Sequence, residues 1–248
     1  MKMMNIRKTA LAIFLLAAFL LSACAKNAGV GKTEGGVKPL SPNGSIEALA
    51  PPSDPEIISE LAFKALMDTE KYSSVREYPV EYVMVHFCSE VVNDKNDPYN
   101  AEKIKKTFEK NRVSINYIIL RDGTIQCWIP EQRVAWHAGK GVWGGDEKYT
   151  NKMNKYSIGI ELTAIGSKND MKQYVSSSYY NSIPRSLIGY TDAQYKALIS
   201  LLGDICRRWS VPADREHIIG HSEYSSHKAD PGELFDWERV MSGLREQQ

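Results

Sequence analysis

The chain has 248 residues, a formal net charge of +1, 43% hydrophobic residues and 25% charged ones. That length holds one large or two small domains, and the composition suits a globular protein able to bury a sizeable core. A near-neutral chain has no electrostatic footprint for nucleic acid, and no Gly-rich loop ending in Gly-Lys-Ser/Thr offers a nucleotide-phosphate cradle.

Residues 1–23 read as an address rather than as structure. Lys2, Arg7 and Lys8 form a basic segment, and Ala10 to Leu21 is an unbroken apolar run. About a dozen apolar residues are too few to span a bilayer core, which takes roughly 20. The run ends at Leu21-Ser22-Ala23-Cys24, which resembles the bacterial lipobox. On that reading Cys24 is lipidated and becomes the mature N-terminus; the plain alternative is an Ala-type cleavage site with Cys24 incidental. The leader carries three basic residues and no acid, so its removal takes the net charge from +1 to −2. Asp after the lipidated Cys is the usual inner-membrane retention signal in Gram-negative lipoproteins. Ala25 stands there instead, which points to the periplasmic face of the outer membrane where two membranes exist. Export permits disulfides. With Cys24 used, Cys88, Cys127 and Cys206 form at most one pair, and buried free thiols account for them equally well.

Residues 24–53 are rich in Gly, Pro, Ser and Lys and lack apolar periodicity, so a flexible tether is expected. Asp54-Pro55-Glu56 reads as an N-cap followed by Pro at the first helical position. Ile57, Ile58, Leu61, Ala62, Ala65 and Leu66 then give a helical stripe, and 54–74 is predicted to be a short helix and lead-in. The main domain is placed at 75–248. Val80 to Phe87 reads as a strand buried on both faces. Ala101 to Asn111 is a charged helix with Ile104 and Phe108 inward. Val113 to Leu120 and Thr124 to Ile129 form a hairpin across the tight turn Arg121-Asp122-Gly123-Thr124. Tyr156 to Thr163 is another buried strand, and 165–189 reads as a long loop. Thr191 and Gln194 make a capping box for a helix that buries Tyr195, Leu198, Ile199, Leu202, Ile205 and Trp209. A strand at 216–220 and a C-terminal helix from about Glu233 complete one mixed α/β domain.

The chemistry gathers between Gly220 and Gly232, where His221, His227, Lys228 and Asp230 fall within a dozen positions. His221 and Asp230 offer a metal two ligands. His86, at the end of the strand Val83-Met84-Val85, is the best third donor, because a strand terminus lies at the rim of a sheet where pockets form. Three protein ligands leave the fourth position of a tetrahedral zinc to water, whose pKa falls to roughly 7. Glu161 is a carboxylate on an apolar strand, costly to bury without a purpose, and is the candidate proton acceptor for that water. Lys228 is the candidate partner for the developing oxyanion. Taken singly, His86 would be a hydrogen-bonded core histidine, Glu161 half of an ion pair and Lys228 a solvated lysine. His227 could replace His221 or Asp230. His217 is read as structural, since its i, i+4 pairing with His221 lacks the glutamate of His-Glu-x-x-His and falls on a strand. Tyr174, Tyr179 and Tyr180 either stack on sugar or pack the loop.

Six segments carry a resemblance. They are Val83-Met84-Val85-His86, Asn116-Tyr117-Ile118-Ile119 with the following turn, Ala135-Trp136-His137-Ala138-Gly139, Ser157-Ile158-Gly159-Ile160-Glu161, Gly220-His221-Ser222, and Lys228-Ala229-Asp230-Pro231-Gly232. In this order, from about Val80 to Trp237, the chain resembles the zinc-dependent N-acetylmuramoyl-L-alanine amidases of the phage-lysozyme and peptidoglycan-recognition-protein type. The resemblance implies a central mixed β-sheet with flanking helices and one zinc per chain at the base of a groove. It also implies hydrolysis of the amide between N-acetylmuramic acid and L-alanine of the peptidoglycan stem. It casts His86, His221 and Asp230 as zinc ligands, Glu161 as acid/base and Lys228 as the oxyanion residue. Tyr117, Trp136 and His137 become substrate contacts. Asn116 stands where many relatives have His, and Tyr224-Ser225-Ser226-His227 replaces a longer Pro-Gly-Arg-like turn, which bears on the groove wall more than on the metal. The expected protein is a lipid-anchored monomer with peptidoglycan or muropeptides as its partner. Its rivals are a non-catalytic muropeptide binder, which would lack a zinc ligand, and a lipoprotein that merely tethers membrane to wall.

Overall fold

In the computed structural model, which describes residues 56–247, the chain begins with β1 (Phe63–Lys64), α1 (Thr69–Tyr72) and β2 (Ser73–Val75). It continues through β3 (Tyr82–Cys88), α2 (Ala101–Asn111), β4 (Tyr117–Ile119), β5 (Ile125–Cys127) and β6 (Arg133–Ala135). β7 (Ser157–Thr163), α3 (Lys168–Met171), α4 (Ser177–Asn181) and α5 (Asp192–Trp209) follow. β8 (Ile218–Gly220), α6 (His221–Tyr224) and α7 (Trp237–Arg245) close the order. The leader, Cys24, the tether and the Asp54-Pro55 cap lie outside the described residues.

Six strands form one mixed sheet in the order β1-β5-β4-β7-β3-β8, and β2 and β6 form a separate ribbon. β3 lies parallel to β7 along its whole length, with His86 opposite Glu161, and parallel to β8 on its other side. Only β4 and β5 pair antiparallel within this sheet, across the turn at Gly123, whose φ of 88° suits glycine. Successive side chains of a strand face opposite sides. Val83 and Val85, Tyr117 and Ile119, and Ile158, Ile160 and Leu162 therefore share one face. There they pack with Leu198, Leu201, Leu202 and Ile205 of α5 and Val240 and Leu244 of α7. Each fully buried aliphatic side chain contributes about 1.5–3 kcal/mol. α5 starts at the expected box, with Thr191 Oγ1 accepting from Gln194 N–H and Gln194 Oε1 accepting from Thr191 N–H. The other face carries Met84, His86, Ile118, Gly159 and Glu161, covered in part by the clusters around Trp128 and Tyr156.

Four expectations need correction. Residues 56–66 are not helical: they turn once, at Ala62 N–H to Ser59 C=O, and then run as the edge of the sheet. Ala65 N–H donates to Cys127 C=O and Met67 N–H to Trp128 C=O, while Ile58, Ala62 and Leu66 still pack on the core. The apolar stripe satisfies both descriptions, and pairing with β5 decides between them. Consequently the packed body begins at Glu56 rather than near Val75. Tyr117 is fully buried on the α5 side, where its hydroxyl donates to Glu131 and accepts from Ser59 N–H at 2.9 Å. It is a core residue and does not line the site. The 165–189 stretch carries α3 and α4, each started by a serine cap, and α7 begins at Trp237 because Asp236 caps it by accepting from Arg239 N–H. Cys88, Cys127 and Cys206 are free thiols.

Candidate metal centre

Three side chains from two distant parts of the chain converge where β3 ends. His86 is placed by the pleat of β3, and His221 opens α6 directly after β8, the strand beside it. Asp230 arrives from the turn that follows. His86 Nδ1, His221 Nδ1 and one Asp230 carboxylate oxygen all lie within 4.8 Å of one another. Nδ1 of each imidazole is 2.9 Å from Asp230 Oδ2, and the two Nδ1 atoms are 3.0 Å apart. The histidines are 2% and 3% exposed and the Asp230 side chain 12%, so all three donors are largely withdrawn from solvent.

Local interactions hold each donor in place. The N–H at Gly220 donates to Glu223 Oε2, which fixes the first turn of α6. Arg215 grips both oxygens of Glu223 at 2.7 Å and stacks its guanidinium 3.4 Å above the Trp237 ring centroid. Ser222 N–H donates to the Asp230 carbonyl at 2.8 Å, so the loop returns onto the helix that carries His221. Tyr190 Oη–H donates to Pro231 C=O, and buried Asp170 accepts from Glu233 N–H at 3.2 Å. A Cβ at residue 232 would stand 2.5 Å from Asp170 Oδ2, so this turn needs the glycine at φ 82° that it has.

The electrostatics match the geometry. Burial and the neighbouring His221 bring His86 down to about 4, so it is a neutral donor at pH 7. Burial opposes the charge of Asp230, but His221 and His86 outweigh it and hold the carboxyl well below its usual range. Metal binding requires unprotonated nitrogens and an ionised carboxylate. Two imidazole nitrogens and a carboxylate oxygen fit zinc, which takes three such protein ligands in catalytic sites. Among the described residues, no other group of His, Cys, Asp and Glu converges in this way.

Glu161 sits opposite His86 in the β3–β7 register. It is 7% exposed, and its Oε2 has no hydrogen-bond partner. Burial, then the charge of Asp230, push its carboxyl well above the ordinary value, against a thiol hydrogen bond from Cys88 and the field of Lys228. Lys228 is exposed at the rim and its charge is also felt by His86. His227 is exposed and stands apart from the converging group. His217 hydrogen-bonds Asp214 at 2.8 Å and stacks on Tyr82. His137 is turned inward: Nδ1 lies 3.0 Å from His86 Nε2 and Nε2 lies 3.3 Å from Ser157 Oγ. Trp136 is half-buried, its backbone N–H held by Ser114 Oγ. Tyr179 and Tyr180 pack the 165–189 segment, donating to the carbonyls of Val91 and Gly166, whereas Tyr174 stays exposed and feels the charge of Asp230. A cavity of about 840 Å³, lined by Leu61, Cys206, Val211 and Leu244 among others, includes none of the converging residues.

The segment that holds these residues is similar to known proteins. The model of the N-acetylmuramoyl-L-alanine amidase family (Amidase_2) matches residues 76–233, from before β3 to just past Asp230. The 1,6-anhydro-N-acetylmuramyl-L-alanine amidase AmpD of Enterobacter cloacae is 34% identical over 133 residues, which are 53% of this chain and 57% of the relative. The chain thus spans a little over half the length of that relative. Among solved structures, the crystal structure of an AmpD selenomethionine derivative aligns with a TM-score of 0.55 at 24% identity, covering 75% of this chain and 96% of the other, a likeness of fold. The amidase AmiD of Escherichia coli, in complex with anhydro-N-acetylmuramic acid-L-Ala-D-γ-Glu-L-Lys, aligns at 0.50 with 26% identity over 67% of this chain and 58% of its own.

Proposed function

Starting from a chain that belongs to the N-acetylmuramoyl-L-alanine amidase family, we propose that this protein hydrolyses the amide between N-acetylmuramic acid and L-alanine in peptidoglycan or its muropeptides. The observation that carries the reading is the convergence of His86, His221 and Asp230 beside Glu161, a buried carboxyl with an oxygen left unpaired. His86 and His221 through Nδ1, with Asp230, would hold zinc. When bound, zinc supplies a Lewis acid for a carbonyl oxygen and makes a nearby water more acidic.

The remaining steps belong to the chain. Glu161, whose Oε2 has no other partner, accepts a proton from the attacking water and delivers it to the leaving amine. A C–O bond forms, the amide C–N bond breaks, and the proton passes from water to nitrogen, so no co-reactant beyond water is needed. Lys228, at the rim and within electrostatic reach of Glu161, offers its ammonium to the carbonyl oxygen as charge develops there. The relatives act on, or are seen bound to, anhydro-muropeptides, which makes these the first substrates to try. The same proposal places the protein on a lipid anchor at Cys24, from the leader ending Leu21-Ser22-Ala23-Cys24, on the periplasmic face of an outer membrane.

Digestion of purified peptidoglycan and of anhydro-muropeptides, with and without chelator, tests the reading by mass analysis of the products. Free stem peptide beginning at L-alanine is expected, lost with chelator and restored by zinc. Chelator-resistant release, or cleavage at another bond, would overturn it.

A further inference from the structure

One short loop touches the outward nitrogen of both clustered histidines. Asn154 Oδ1 accepts the backbone N–H groups of His137 and Ala138, at 3.0 and 2.7 Å, and so clamps the loop after β6. From that clamp the Ala138 carbonyl lies 3.0 Å from His221 Nε2. A carbonyl only accepts, so Nε2 of this imidazole carries a proton, and Nδ1 is the atom turned toward Asp230.

His86 is reached by a longer path with the same logic. Ser157 Oγ lies 2.8 Å from the Met153 carbonyl, where its single proton is spent. The hydroxyl therefore accepts at its other contact, 3.3 Å away, from His137 Nε2–H. That leaves His137 Nδ1 as a bare acceptor, 3.0 Å from His86 Nε2, which must then be the donor. The remaining nitrogen, His86 Nδ1, points at Asp230 Oδ2 and His221 Nδ1, where a metal would displace any proton shared with the carboxylate. The His137 ring has room to lie here because residue 159 is glycine: a Cβ would come within 2.6 Å of His137 Cγ and 2.5 Å of Ile115 Cδ1. The glycine that breaks the aliphatic run of β7 is thus explained by a ring packed across the strand.

We propose that His137 is a positioning residue of the metal site, relaying one fixed tautomer from the Met153 carbonyl through Ser157 to His86. Together with the Ala138 carbonyl, it fixes the outer nitrogens of both imidazoles, so that Nδ1 of each is the atom left to a metal. The inference rests on reading His86, His221 and Asp230 as a metal site, and is independent of which bond the protein cleaves. Partners on the outer nitrogen of a metal-bound imidazole fix its orientation and typically matter 10–100-fold in metal affinity.

Histidine-selective ¹⁵N labelling of the full chain, followed by long-range ¹H–¹⁵N correlation without metal and with zinc, reads the tautomers directly. Protons on Nε2 of His86, His137 and His221 are expected in both states; a proton on His137 Nδ1 would overturn the relay. Zinc affinity measured by competition with a chromophoric chelator gives the second readout. His137→Ala should raise Kd by about 10–100-fold. Ser157→Ala should shift Kd in the same direction by less and blur the His137 tautomer, which keeps the test open if His137→Ala does not fold. Tight wild-type binding that both variants leave unchanged would remove the relay alone. A wild-type chain that binds no zinc would remove the metal reading beneath it.

Discussion

β3 and β7 carry two different interiors on their opposite faces. Toward α5 and α7, Val83, Val85, Ile158, Ile160 and Leu162 are fully buried among aliphatic neighbours. On the reverse face, at comparable depth, stand His86 and Glu161, with His137, His221 and Asp230 brought up by loops. The apolar face asks only for volume and tolerates no gap. The polar face asks for a partner at each nitrogen and oxygen, and it supplies one everywhere described except Glu161 Oε2. The difference teaches how the cost of the site is carried. One side of the two strands is packed well enough to hold, on the other, a carboxyl that folding alone would not choose.

Adjacent residues on β7 separate the two roles. Glu161→Gln keeps the shape of the side chain and removes its ability to take a proton. The expected result is a fall in kcat of about 10²–10⁴-fold, with zinc affinity and fold retained. Full activity in that variant would show that the polar face does not work through Glu161. Leu162→Ala, one position on and facing α5, should do the opposite. It should cost about 2–5 kcal/mol of stability in chemical denaturation, through lost burial and the cavity left behind. Below its melting range, kcat should stay near wild type. A large loss of kcat in the folded Leu162→Ala protein would break the division between the faces.

What could be read from sequence follows a physical line. α2 and α5 declare themselves because their signals are local: polar spacing around Ile104, and Thr191 with Gln194 at the start of α5. His86 and Glu161 stand out because a charged or titratable group on an aliphatic strand is expensive unless it has work to do. The edge strand β1 has no local signal, since its partner β5 lies far along the chain and the spacing from Ile57 to Leu66 suits a helix equally well. The side that Tyr117 faces depends on register, which no local signal gives. It pairs with Ile160, not with Glu161, and so faces the apolar core. The inward turn of His137 had one faint signal, Gly159 in the middle of an aliphatic strand, which marks a close approach without saying of what.

The smallest expected effect is a pH dependence that belongs to the polar face alone. In the metal-free chain the Glu161 carboxyl is held well above its ordinary value of 4.5, chiefly by burial and then by the charge of Asp230. Below that ordinary value it is protonated in both folded and unfolded states and costs nothing. As pH rises past it, the unfolded chain releases the proton while the folded chain keeps it, so stability falls until the folded carboxyl itself titrates. Asp230 has the opposite sign. Its carboxyl is depressed in the fold, so its contribution is present at neutral pH and lost on acidification. The two are separated by comparing wild type with Glu161→Gln, since only the first term is removed. With chelator present, the variant should be more stable than wild type by about 1–3 kcal/mol near pH 8, the scale of one unpaired buried group. The gap should close toward pH 4. Urea titrations across that range measure it directly. A gap that stayed constant with pH would mean that Glu161 ionises in the fold as readily as in the open chain, and the contrast between the two faces would then be one of packing without charge.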